Sequence, residues 1–152
     1  MTTGTSLVAL KQALVTALAA RPGLAAVQVE YEYPMPSPEA QAIWFGGAEA
    51  DLDTPVARAG RIKMQEDYTV TLVAQVLKQQ GEGQEAADVA ALALLQEIQQ
   101  ELADNPVPTP AVLWALLKSW SHSVGPFGDA SGGNVSRGSR FEIRIGVRAR
   151  LI

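Results

Sequence analysis

Cysteine is absent from all 152 residues. That excludes a disulfide framework, thiol nucleophiles and cysteine-ligated metals together, and it leaves the fold indifferent to the redox state of its compartment. Histidine occurs once, as His122, so a site built from several imidazoles is excluded as well. Charged residues make up only 18% of the chain, which is low for a solitary soluble domain. Long apolar runs are also missing. The longest uncharged stretch of the second expected helix falls short of the roughly 20 residues that cross a bilayer. The first apolar stretch has no basic leader and carries Lys11 and Gln12 within it, so no secretory signal is expected and the product is expected to stay in the cytoplasm where it is made. A net charge of −4 argues against general nucleic-acid binding, which draws on a basic field.

What is present is a 47% hydrophobic chain of a length that fits one domain, residues 1–152. Its charge is unevenly placed. Residues 137–152 hold five Arg and one Glu, a balance of +4, whereas residues 1–136 hold seven basic and fifteen acidic residues, a balance of −8. The basic segment alternates: Phe141, Ile143, Ile145, Val147, Ala149 and Leu151 take one parity, and Arg140, Glu142, Arg144, Gly146, Arg148 and Arg150 the other. A strand points successive side chains to opposite faces, so the pattern predicts a ribbon with one apolar face and one arginine face.

Upstream, Leu7, Leu10, Leu14 and Leu18 recur at helical spacing, with Thr2, Thr3, Thr5 and Ser6 as candidate N-caps and Arg21-Pro22-Gly23 as a stop. Val27 to Tyr33 alternates as a strand, and three prolines end it; a short strand is expected over Gln41 to Gly46. Gly46 to Gly60 lacks periodicity and reads as a long loop. Arg61 to Leu77 then predicts a strand of roughly 50 Å, one that projects past the domain or bends at Glu66-Asp67. A second helix runs to Leu102 with Val89, Leu92, Leu95, Ile98 and Leu102 as its buried stripe. Residues 111–124 fit both periods; the flanking prolines and the pairing needs of the last ribbon favour a strand, with Val112, Trp114, Leu116, Trp120 and Val124 on one parity. Residues 125–139, rich in Gly and Ser, predict a second long loop. The expected fold is an α/β (α+β) one: a mixed, mostly antiparallel sheet with two helices packed on it, in the order α-β-β-β-α-β-β.

Catalytic groups are hard to find. His122 lies between Ser121 and Ser123, but neighbouring strand residues point to opposite faces and do not form a nucleophile–base pair. Glu49, Asp51 and Asp53 share a loop that lacks the glycine and distal glutamate of an EF-hand. Gly46-Gly47 and Gly132-Gly133 match no phosphate-binding pattern. No catalytic residue, cofactor or metal site is therefore expected, and the chain is expected not to be an enzyme.

The stretch Asp67 to Val76, the helix Ala86 to Leu102 and the ribbon Arg140 to Leu151, taken in this order, resemble the tail-terminator family of long-tailed phages, including the related tail-completion proteins of the neck. The resemblance is one of pattern and size over nearly the whole chain, since the family carries no strict motif. It implies a virion protein that forms a hexameric ring, caps the tail tube, stops its polymerisation and joins the tail to the head connector. The implied partners are further copies of the chain, the tail tube protein and the head–tail connector, with DNA passing through the ring without specific binding. Candidate interface residues are Arg140, Arg144, Arg148 and Arg150 on the basic ribbon, Glu49, Asp51 and Asp53 in the acidic loop, and Arg58 and Arg61 at its far end. Two other readings stand beside this one. One is a head-completion or connector-adaptor protein; the other is a small cytoplasmic domain that binds a ligand near Tyr31, Tyr33 and Trp44.

Overall fold

The computed structural model describes residues 5–35, 37–52, 57–58, 61–62, 64–78, 83–126 and 137–151, with residues 51, 52, 57, 58, 61, 62, 64, 126, 150 and 151 followed by their backbone alone. Two helices, α1 (Leu7–Ala19) and α2 (Gln84–Asp104), pack on one face of a five-stranded sheet. The strands are β1 (Gln28–Glu30), β2 (Gln41–Leu52), β3 (Ala57–Arg58), β4 (Arg61–Ile62), β5 (Met64–Lys78), β6 (Trp114–Pro126) and β7 (Arg137–Leu151). The main sheet has the order β1-β2-β5-β7-β6, and β3 pairs with β4 in a small ribbon of its own. β1 runs parallel to β2, and every other pairing is antiparallel. This is the mixed, mostly antiparallel sheet with two helices that the hydrophobic pattern predicts.

The last strand lies inside the sheet and not at its edge, paired along its length with β5 and with β6. Its odd-numbered residues, Phe141 to Ala149, are buried under the helices, and Tyr68, Val70, Leu72, Ala74 and Val76 of β5 join them. Burying each large aliphatic side chain of this kind stabilises the fold by roughly 1.5–3 kcal/mol. Leu10, Leu14 and Leu18 supply the buried stripe of α1, as their spacing predicts.

The stripe of α2 is rotated from the expected one. Ala87, Ala91, Leu94, Leu95, Ile98 and Leu102 are buried, whereas Val89 and Leu92 are 63% and 44% exposed. The first two turns present alanines to the sheet, and hydrophobicity alone pointed to the larger residues beside them. The Pro22–Leu24 turn after α1 is tied to α2 by Arg21, which donates to Glu97 at 2.7 Å and to Glu101 at 2.8 Å. Gly23 leaves the space that the Glu97 carboxylate occupies there, which is a packing role and not the helix-capping role expected of it.

Two expected loops are shorter than the sequence suggested. β2 continues to Leu52 through a bulge between Phe45 and Ala48, and β3 and β4 pair Ala57 with Ile62 and Arg58 with Arg61. Alternation was not legible here because the bulge resets the parity. At the other loop, β6 reaches Pro126 and β7 begins at Arg137; residues 53–56, 59–60 and 127–136 lie outside the described residues. The first expected strand is shorter, since only Gln28–Glu30 pairs with β2. Residues 114–126 are a strand, but a bulge between Leu117 and Ser119 splits the single parity expected of Trp114, Leu116, Trp120 and Val124. Ala115 and Leu117 face the core before it; Trp120, His122 and Val124 pair with core-facing positions after it.

β5 keeps its pairing with β7 unbroken through Glu66-Asp67, where the length of the strand suggests a bend as the alternative to projection past the domain. Glu66 turns inward and is only 3% exposed. Its carboxylate accepts from the backbone N–H of Ser6 at 3.3 Å, at the N-terminal end of α1 where the helix dipole favours an anion. The Ser6 hydroxyl lies 2.9 Å from that of Tyr68, whose phenol burial pushes up to about 12. A charge from the sheet thus caps the helix that packs on it.

Candidate assembly surface

Arg140, Glu142, Arg144, Gly146 and Arg148 of β7 lie on the sheet face opposite the helices, together with Gln65, Asp67, Thr69, Thr71 and Gln75 of β5. Among the described residues no helix covers this open face. The register decides what each arginine does there. Arg148 stands opposite Asp67 and donates Nε–H to one carboxylate oxygen at 2.7 Å and Nη2–H to the other at 3.2 Å. That guanidinium holds the Asp67 carboxyl below the usual carboxylate range, against the opposing pull of desolvation. It also lies 5.5 Å from the centre of the Trp114 ring. Arg140 stands opposite Gln75 and donates twice to its Oε1, at 2.9 and 2.6 Å. Arg144 is exposed, with one long contact of 3.4 Å to the Ser119 hydroxyl.

The remaining candidates spread over the same sheet. Arg150 pairs in register with Gln65, Glu49 with Thr69 and Asp51 with Asp67. Arg58 and Arg61 face one another across the β3–β4 ribbon, and Asp53 lies outside the described residues. The structure therefore gathers Arg140, Arg144, Arg148 and Glu49 on one face. Basic residues crowd its β7–β6 side, and Glu49, with Glu30 of β1, marks its β2 side. A groove of about 490 Å³ crosses this face between Glu49 and Lys118, with Trp114 and Leu116 as its apolar wall and Gly146 on its lining.

His122 has partners that the sequence did not suggest. Its Nε2 lies 2.7 Å from the hydroxyl of Ser139, which is fully buried on β7, and 3.4 Å from Asp88 Oδ1 on α2. The ring rests on Phe141 at a centroid distance of 4.6 Å. Gln84, then Ser139 and His122, hold the Asp88 carboxyl below the usual range. Serine, histidine and aspartate thus meet, but both oxygens address the same imidazole nitrogen. A triad needs the base on one ring nitrogen and its orienting carboxylate on the other. The cluster is a strut between α2 and the sheet. Only the β6–β7 register brings position 139 beside position 122, so no local spacing could have revealed it.

The aromatic pocket considered from the sequence does not form. Tyr31 packs on Phe45 on the helix side, with Lys11 Nζ 4.1 Å from its ring centre. Tyr33 packs edge-on to Trp44, 5.3 Å between centroids, in a separate cluster with Ala42 and Val73. The sheet separates the two pairs. Among the described residues no group of three or more His, Asp or Glu could hold a metal ion, and no helix is long and apolar enough to cross a membrane.

No protein-family model matches the chain. No curated protein matches it either. Among solved structures, it is similar to a chain of the virion of a native gene transfer agent particle, with a TM-score of 0.59 and 13% sequence identity over 93% of this chain and 94% of that one. At that identity the likeness shows a shared fold.

Proposed function

We propose that the chain is a structural protein of a phage-type virion, forming a ring that ends the tail tube and joins it to the head connector. The observation that carries this reading is the reciprocal, nearly full-length likeness to a chain that is itself part of an assembled virion particle. A match over 93% and 94% of the two chains concerns the whole fold and not a shared fragment of it.

Two features of the site support the reading. The described residues bring together no nucleophile with a correctly placed base, so the one Ser-His-Asp cluster is spent on packing. No helix covers the open sheet face among the described residues, and its groove sets the apolar wall of Trp114 and Leu116 among charged side chains, which suits a contact with other proteins. The six-fold copy number comes from the family resemblance. DNA would pass such a ring without being gripped, because Arg148 and Arg140 are already engaged by Asp67 and Gln75.

The test is the native mass of the purified chain, alone and mixed with its tail tube protein, together with the length distribution of tubes grown in its presence. Rings that cap tubes and fix their length support the proposal. A chain that joins the portal-side connector and ignores tubes is a connector adaptor, and one that ignores both is neither.

A further inference from the structure

The sheet ends in two uncovered edges that differ in charge. On one side, β6 is the edge strand. Its first residues are screened from outside, because Ala115 N–H donates to the Pro106 carbonyl at 2.7 Å. After the bulge at Lys118, the alternation of the β6–β7 ladder turns the outward peptide groups to Trp120, His122 and Val124. Among the described residues no backbone group pairs with them. Trp120 and Val124 are 51% and 53% exposed, so this edge is apolar as well as open. On the other side, β1 covers β2 only from Ala42 to Trp44. After its own bulge, β2 runs on from Ala48 to Leu52 with no described strand outside it. A long unguarded edge of this kind is a template for another strand.

We infer that Ser119–Gly125 of β6 in one copy adds antiparallel to the outer edge of Ala48–Leu52 of β2 in the next copy, so that the sheets of neighbouring subunits become continuous around the ring. This rests on the ring reading of the previous subsection and names the seam that closes it.

Strand direction and charge both select the occupant. From β2 to β6 the sheet reverses direction three times, at β5, β7 and β6, so β6 is antiparallel to β2. Copies related by rotation about an axis along the strands keep a common direction. Their β6–β2 junction is then antiparallel without further adjustment, and it is heterologous, as a closed ring requires. β6 carries Lys118 and no acidic residue, and its β7 neighbours on the open face, Arg140, Glu142 and Arg144, are net positive. β2 carries Glu49 and Asp51 and no basic residue, and it lies beside Glu30. Head-to-tail joining sets the basic margin against the acidic one. A twofold β6–β6 joining sets two basic margins against each other, which like-charge repulsion across paired strands disfavours.

The natural chain has no cysteine, so introduced thiols report without background. Ala50→Cys on β2 and Val124→Cys on β6 are both exposed and pair with core-side positions, so neither disturbs packing and both lie on one side of the seam. With a short thiol-reactive bifunctional crosslinker, the double variant gives a ladder of covalent oligomers ending in a closed ring. A mixture of the two single variants gives dimers, and each single variant alone gives none. Crosslinked dimers from Val124→Cys alone would make the seam twofold and overturn the inference. So would a double variant that assembles by native mass yet fails to crosslink; in that case the ring reading stands and only the seam falls. A chain that is monomeric with and without tube protein overturns both, and one that crosslinks head to tail but ignores tubes keeps the seam and loses the capping role.

Discussion

Reversing one charge, Arg144→Glu, should weaken assembly about tenfold while leaving the subunit as stable as before. In the subunit, Arg144 is exposed and its only described contact is a 3.4 Å approach to Ser119, which is too long to contribute much. Exposed substitutions of this sort change stability by no more than about 0.5 kcal/mol, a shift of roughly 1–2 °C in Tm for a chain of this length. Across the proposed seam the same residue approaches the acidic strand positions Asp51 and Glu49 to roughly 12–16 Å, from strand rise and spacing. Two unit charges at those distances in a watery dielectric together contribute about 0.5–0.7 kcal/mol. Reversal turns that attraction into repulsion, so the change is about twice as large, roughly 1–1.4 kcal/mol per junction, which is close to a factor of ten in the association constant. Sedimentation at low salt measures the constant, and calorimetry of the same samples measures the Tm. At 1 M salt the screening length falls to about 3 Å and the difference between variant and wild type should vanish. An association constant unmoved at low salt, or a loss equally large at high salt, would refute the electrostatic part of the reasoning. Arg148→Glu is the informative contrast. It removes the pair with Asp67 and sets two carboxylates opposite each other, so it should lower the Tm of the subunit before any effect on assembly is read.

Glu66→Ala should cost about 1–3 kcal/mol, measured by urea unfolding, because it strips the buried Ser6 N–H of its acceptor; a change below about 0.5 kcal/mol would mean that water replaces the carboxylate without loss. Ile143→Ala, at a fully buried position in the middle of the sheet, should cost about 2–5 kcal/mol by the same assay. Asp67 and Asp88 both have folded-state pKa values held below the usual range. The stability they contribute is therefore complete above the unfolded carboxylate value of about 4 and is lost as the pH falls below it, through the lower folded values. A urea midpoint that falls less steeply in acid for Asp67→Asn than for wild type would bear this out, and identical profiles would contradict it. A serine-directed fluorophosphonate should leave the intact mass unchanged, since Ser139 is buried and its histidine is not oriented as a base; labelling abolished by Ser139→Ala would reopen the catalytic reading.

Strict periodicity was the most legible part of the fold. The alternation of 140–151 and of 68–76 gave both central strands with their faces, and Leu10, Leu14 and Leu18 gave α1, because one face of each is continuously buried and nothing interrupts the period. Legibility failed where a period is reset or where small residues replace large ones. The bulges at Gly46-Gly47 and at Lys118 each insert a residue, after which the side chains change faces: the end of β2 then read as a loop, and the two tryptophans of β6 appeared to share a side. In α2 the buried positions are held partly by Ala87 and Ala91, whose weak hydrophobicity let Val89 and Leu92 outrank them. Glu66 shares the parity of the core residues of β5, so the pattern alone left an acid there unexplained, and the ladder with β7 runs unbroken through it. Only the arrival of the α1 terminus over the sheet explains an acid at that position.

The arginine row shows how far composition can mislead about a site. Counted along the strand, Arg140, Arg144, Arg148 and Arg150 look like one block of free positive charge, fit to grip phosphate or any acidic partner. Folding places the strand beside β5, and cross-strand register then assigns Arg148 to Asp67 and Arg140 to Gln75. Those two arginines become part of how the sheet is held and aligned, and a partner would have to displace their bonds to use them. The charge left for recognition is concentrated nearer β6, on Arg144 and Lys118, beside the edge whose outward peptide groups have no described backbone partner. Under the proposed ring reading such a surface would leave DNA unheld, since holding it takes many cations in a row. It suits a directional contact in which backbone pairing supplies most of the adhesion and a few charges exclude the wrong orientation.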